Sequence, residues 1–133
     1  MPFIRISLAG TPPTQTQLHQ LQVQTTKLMA EILGKRPEVT VVAVESMASK
    51  NWSVGGQAVS EVNSLAQMEA VITAGTNTEA EKSAFIDAAY QMLCSILNAE
   101  LSPLYVLIIE VDAANWGYDG KTQAFRKQAT LAP

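Results

Sequence analysis

The chain repeats itself. Thr14 recurs as Thr78, Gln17 as Glu81, Leu21 as Phe85, Met29 as Leu93, Ile32 as Ile96 and Leu33 as Leu97, all at one offset of 64 positions. Asn51-Trp52 recurs as Asn115-Trp116 and Gly56 as Gly120 at the same offset. Ala9-Gly10 needs 65 to reach Ala74-Gly75, so a single-residue insertion separates the ends of the two first strands. Such self-similarity constrains architecture before any local propensity does, because each copy is one supersecondary unit. At 133 residues the two copies fit one domain.

Each copy reads as strand, helix, strand. Residues 2–8 carry Phe3, Ile4, Ile6 and Leu8, a strand pattern broken by Ala9-Gly10-Thr11-Pro12-Pro13. Thr14 and Gln17 form a capping box, and Leu18, Leu21, Thr25, Leu28, Met29 and Ile32 recur at helical spacing over residues 16–33. Gly34 suits the helix C-cap, Lys35-Arg36 its negative pole, and Pro37 blocks further helix. Residues 39–44 are almost continuously apolar, as in a strand buried on both faces. After the polar stretch 45–52, Val54-Gly55-Gly56 marks a turn or small hairpin. Unit one therefore spans about 2–56, a connector 57–67, unit two about 68–120, and a tail 121–133. In unit two, residues 68–73 form the strand, Thr78 and Glu81 a second capping box, and the helix continues to Leu97. Ser102-Pro103 breaks it, residues 105–111 form the last strand, and 112–120 a terminal loop.

The predicted fold is α+β: two right-handed βαβ units joined edge to edge into a four-stranded sheet with both helices on one face. The other face is expected to be apolar and uncovered, which predicts an oligomer whose sheets pack inward.

The available chemistry is narrow. Nine Lys and Arg against twelve Asp and Glu give a net charge of −3, with no basic run to neutralise phosphates, so nucleic acid is excluded as a partner. No apolar run approaches the roughly 20 residues that cross a bilayer, and no basic segment precedes an apolar leader. A soluble, cytoplasmic protein without membrane contact is expected. The lone Cys94 lies within an apolar helical pattern and reads as an inert thiol; the lone His19 sits among glutamines and reads as a solvated surface residue. One of each cannot build a Cys/His zinc site. Neither a nucleophile elbow nor a glycine-rich phosphate loop is present, so no metal or cofactor is expected.

Pro2 remains. If Met1 is removed, its nitrogen becomes a secondary amine, which titrates near pH ~8 before perturbation. Burial or a nearby cation lowers that value toward neutrality, where an amine can abstract a proton beside a carbonyl. The competing reading is an edge strand that begins on a proline, where a missing N–H costs little.

Pro2 directly after Met1, the two fused βαβ units, and the loop E-S-M-A-S-K-N-W-S-V-G-G-Q at residues 45–57 together resemble the tautomerase superfamily. The loop is similar to the C-terminal loop of 4-oxalocrotonate tautomerase. The second half, with Ser102-Pro103 and D-A-A-N-W-G-Y at 112–118, resembles the two-unit members, macrophage migration inhibitory factor and 5-carboxymethyl-2-hydroxymuconate isomerase. The resemblance covers all but the connector and the tail. It implies a homotrimer with an inner barrel of sheets, and a cofactor-independent isomerase in which Pro2 shuttles a proton between the carbons of a keto–enol 2-oxo acid.

By the same resemblance, Lys35, within Gly34 to Pro37, falls on a pocket lysine that would hold a carboxylate. Its other reading is complementation of the helix dipole. Arg36 is a second cation suited to bidentate binding. Trp52 falls on an aromatic of the pocket wall, or else anchors its loop. The arginines that bind dicarboxylates correspond to Thr11 and Val41, or to Thr76 and Tyr105, and none is cationic. Leu107 and Ile109 replace a tyrosine and an asparagine, giving a more apolar substrate wall and favouring a monocarboxylate. Dehalogenase, hydratase or decarboxylase chemistry, or a non-catalytic trimeric binding protein, are the alternatives on this scaffold.

Overall fold

A computed structural model describes residues 2–60 and 64–131. In chain order the elements are β1 (Phe3–Ala9), α1 (Gln15–Leu33), β2 (Val41–Met47), β3 (Ser53–Val54), β4 (Gln57–Ala58), β5 (Leu65–Thr73), α2 (Glu79–Leu97), β6 (Tyr105–Val111), β7 (Gly117–Tyr118), β8 (Lys121–Thr122) and α3 (Gln123–Leu131). Met1 and the middle of the expected connector, 61–63, lie outside the described residues.

Both repeats fold as βαβ units. β1 pairs in parallel with β2, and β5 in parallel with β6. The units join through antiparallel β1 and β5, giving the order β2-β1-β5-β6. Each helix starts on its capping box: Thr14 accepts from the Gln17 N–H and Thr78 from the Glu81 N–H, both at 3.1 Å. Each ends on a left-handed residue, Gly34 (φ 69°) and Asn98 (φ 52°). The helices run antiparallel on one sheet face. Gln17 near the start of α1 donates to the Ile96 carbonyl near the end of α2 (3.1 Å), while Asn77 ahead of α2 donates to the Leu33 carbonyl (3.0 Å).

The core fills the space between helices and sheet. Ile4, Ile6, Met68 and Ile72 point from the two central strands toward Leu21, Met29, Phe85 and Leu93, and all are fully buried. Strand alternation and helical spacing thus converge on one apolar layer.

Three expectations are revised. β5 starts at Leu65 rather than Met68. It is central, and Gln67 and Glu69 face away from the helices, which hid the strand period. β2 is not buried on both faces: it begins at Val41, forms an edge, and leaves Val41 and Met47 exposed. The face without helices is not purely apolar, because Arg5 lies 3.6 Å from Glu45 and 3.9 Å from Glu69 among Tyr105, Leu107 and Ile109. Beyond these, β8 closes a hairpin with β7, and α3 follows as far as Leu131.

The two hairpins are repeat mates. Each turns through two left-handed residues, Gly55-Gly56 (φ 60° and 80°) and Asp119-Gly120 (φ 50° and 80°). That is the geometry whose twist matches antiparallel strands. The second needs a further glycine, since a Cβ on Gly117 would sit 1.9 Å from the Lys121 carbonyl oxygen.

Phe85 is fully buried and Val23 is 51% exposed. At a fixed protein concentration, Phe85→Ala is expected to lower unfolding stability by about 3–5 kcal/mol, and Val23→Ala to change it by no more than about 0.5 kcal/mol. Urea titration followed by circular dichroism measures both.

Candidate active site

β1 begins at the end of the sheet where β2 also begins and β5 finishes, because Phe3 pairs with both Val41 and Val71. Pro2 precedes that point. It is fully buried, and its carbonyl accepts from the Val41 N–H at 3.3 Å. Three other segments reach the same end: the turn after α1, the β5–α2 loop, and the β7–β8 hairpin with α3. The hairpin is held there by the Trp116 indole N–H, which donates to Thr73 Oγ1 at 3.2 Å, and by backbone bonds from Gln123 to Trp116 and Ala124 to Ala113.

These segments enclose a cavity of about 310 Å³. Lys35 and Arg36 line one side of it; Tyr118, Gln123, Arg126 and Lys127 line another. No carboxylate is among the lining residues. Lys35 Nζ donates to Thr76 Oγ1 (2.9 Å), which donates to the Thr73 carbonyl (2.6 Å), so the ammonium is fixed against the β5–α2 loop. Burial pulls the Lys35 pKa below its ordinary value, and the charges of Glu81 and Glu110 partly oppose this. Glu110 itself is held ionised, first by its bond to Lys82 and then by the Gly75 N–H. Arg36 is exposed and already engages Glu38 at 2.8 Å.

The far wall is organised by Tyr118. The Arg126 guanidinium lies 3.7 Å from the centre of its ring and donates to its carbonyl at 2.9 Å. The Gln123 amide nitrogen is buried and has no acceptor among the described residues. A donor in that condition is costly unless a further oxygen reaches it.

The chain therefore brings Pro2, Lys35 and Arg36 to one end of the sheet, although Pro2 does not line the cavity of a single chain. Trp52 is at the opposite end, where its indole N–H points at Met47 Sδ (3.2 Å). There it lines a separate cavity of about 330 Å³ with Leu65, Pro103 and Tyr105. Its repeat mate Trp116 stands at the Pro2 end. Leu107 and Ile109 lie on the helix-free face of β6, 37% and 38% exposed. His19 is exposed and Cys94 half-buried, both remote from this end. Among the described residues no cluster of three His, Cys, Asp or Glu could hold a metal, and no helix is long and apolar enough to cross a membrane.

Gln123, Arg126 and Lys127 lie in the tail, 121–133, to which the sequence reading gave no structure or role. Their signal was their spacing, which puts all three on one face of a helix.

Comparison with known proteins bears on the family and the fold. The Tautomerase enzyme family matches residues 2–61, the whole of the first unit. A probable tautomerase, K2, of Dickeya dadantii is 38% identical over 61 residues, covering 46% of this chain and 91% of that protein. A probable tautomerase of Helicobacter pylori is 36% identical over 61 residues, covering 44% and 90%. Solved structures match both units. The R7 fused 4-OT wild-type asymmetric trimer superposes with a TM-score of 0.81 at 21% identity, covering 96% of this chain and 98% of that one. A macrophage migration inhibitory factor-like protein from Entamoeba histolytica gives 0.74 at 21%, covering 91% and 97%. With its first unit shared with single-unit relatives and its two-unit fold with the fused form, the chain belongs to the tautomerase family.

Proposed function

We propose that this protein is a cofactor-independent isomerase that interconverts the keto and enol forms of a small 2-oxo acid, with Pro2 as the base. The observation that carries this reading is the placement of a buried Pro2 at the sheet end that also holds a cationic cavity. The Pro2 amine, once free, takes a proton from the carbon next to the carbonyl. The electron pair of that C–H bond becomes the C=C bond of the enol, and negative charge grows on the carbonyl oxygen. Lys35 is placed to bind the substrate carboxylate or to stabilise that oxygen. Pro2 then returns the proton to oxygen or to a different carbon, which completes the isomerisation. Arg36 shares its charge with Glu38 and contributes less.

The same reading includes a homotrimer. Tyr105 is 65% exposed on the helix-free face, in line with exposed Leu107 and Ile109 along β6, and Val41 is exposed on the opposite edge strand; such a face asks for cover. Similar solved structures are described as trimers. In that assembly Trp52, at the opposite end of its own sheet, and Leu107 and Ile109, two strands from β1 on the helix-free face, would complete the pocket of a neighbour. Sedimentation equilibrium is expected to give three times the 14.3 kDa chain mass, and Tyr105→Glu with Ile109→Glu to shift the protein toward monomer.

Pro2→Ala, with intact mass showing loss of Met1 in both proteins, is expected to slow ketonisation of an enol probe by about 10²–10⁴-fold. An unchanged rate rules out Pro2 as the base. A retained methionine leaves an amide there and favours a non-catalytic binding protein.

Lys35 sets an alkaline limit. Because burial favours its neutral form, it loses its charge below the ordinary value of 10.5. Anion binding is therefore present at neutral pH and lost as pH rises through the lowered value. The pH profile of kcat/KM, which reports the free enzyme, should fall on its alkaline side below pH 10.5. Lys35→Arg should move that fall to higher pH, and Lys35→Met should remove the limb together with most of the activity.

A further inference from the structure

The cationic lining of the cavity is divided between two walls. Lys35 and Arg36 stand on the wall nearest the α1 turn, and Arg126 and Lys127 on α3. The α3 pair lies outside the internal repeat, in a helix of which no residue whose burial is described belongs to the core cluster. Its placement is nonetheless specified. The Tyr118 ring and carbonyl orient the Arg126 guanidinium, Gly117 allows the hairpin to close tightly beneath it, and Gln123 N–H anchors to the Trp116 carbonyl at 2.9 Å. The buried amide nitrogen of Gln123, which lines the same cavity, lacks an acceptor among the described residues. A guanidinium held flat, an ammonium one residue on and an unused amide donor together suit a planar anion with two oxygens.

We propose that α3 builds a second anion subsite, in which Gln123, Arg126 and Lys127 receive a carboxylate at the far end of the substrate. It rests on the isomerase reading for the reactive end alone. The preferred substrate is then a 2-oxo acid with two carboxylates. The absence of arginine at Thr11, Val41, Thr76 and Tyr105 is met by charge from a different element. The substrate proposed departs from the monocarboxylate expected from those positions alone.

Calorimetric titration of the full chain with 2-oxohexanedioate and with 2-oxohexanoate, equal in carbon number, tests this. The readout is the ratio of the two affinities. The native protein is expected to favour the dianion by about ten- to hundredfold. Arg126→Gln combined with Lys127→Gln is expected to bring the ratio to within about threefold of unity. Because Arg126 also packs on Tyr118, Lys127→Glu serves as the second variant. Lys127 is exposed, so this change should leave the thermal midpoint in place and still cut the ratio at least about threefold. A native ratio near unity, or variants that keep the native ratio, overturns the subsite. A dianion preference without turnover defeats only the isomerase reading. Turnover that depends on Pro2, without a dianion preference, defeats only the subsite.

Discussion

The antiparallel pairing of β1 with β5 is the interaction on which the rest of the molecule depends. Each βαβ unit alone leaves an open strand edge and an amphipathic helix with half a core. Joining the units through their first strands closes that edge, from Phe3 opposite Val71 to Ala9 opposite Leu65. It also sets the helices side by side and antiparallel. Thr25 shows how fully they meet: it is buried on α1, with its hydroxyl directed at Met92 Sδ of α2 at 3.8 Å. The same pairing reverses one unit against the other. Consequently the start of unit one shares an end of the sheet with the finish of unit two. Pro2 therefore shares its end of the sheet with the second hairpin and α3, not with the hairpin of its own unit.

That reversal makes the two ends chemically unequal even though the units are related. At the Pro2 end, Lys35 follows the α1 cap, and its repeat position is Ala99. Pro2 itself matches Ala66 in strand register. The opposite end therefore keeps the aromatic Trp52 and a cavity but neither the proline nor the lysine. Charge is partitioned in the same way. Glu38 occupies Arg36, and Lys82 occupies Glu110. Lys35 is left with a hydroxyl partner, Thr76, and partial burial. A cation solvated by one hydroxyl in a recess is better disposed to take a ligand anion than one already neutralised by a carboxylate.

Much of the fold was legible in the residues. Both capping boxes, the glycine cap at Gly34 and the last strand, residues 105–111, stand where the pattern puts them, because each rests on local hydrogen bonding or uninterrupted periodicity. The readings that moved depended on neighbours. The early part of β5 was hidden because Gln67 and Glu69 are tolerated on a face without helices. β2 looked buried on both sides because Val41 is apolar, yet only one side has a helix to cover it. Lys35 and Arg36, singled out from the segment Gly34 to Pro37, line the cavity at the Pro2 end. Trp52 was placed by likeness to a single-unit loop, and one chain alone sets that loop at the far end of the sheet.

What the sequence by itself determined is the repeat, and with it two βαβ units, their helix boundaries and the apolar layer between helices and sheet. Those follow from interactions spanning a few residues and from a period written twice. Only the tertiary structure decided which loops meet. Trp116 rather than Trp52 stands beside Thr73, Lys35 rests on Thr76, and Arg126 and Lys127 of α3 face Lys35 across one cavity. These residues are separated by dozens of positions. Their proximity is set by the antiparallel register of β1 on β5, a long-range pairing that no local pattern encodes.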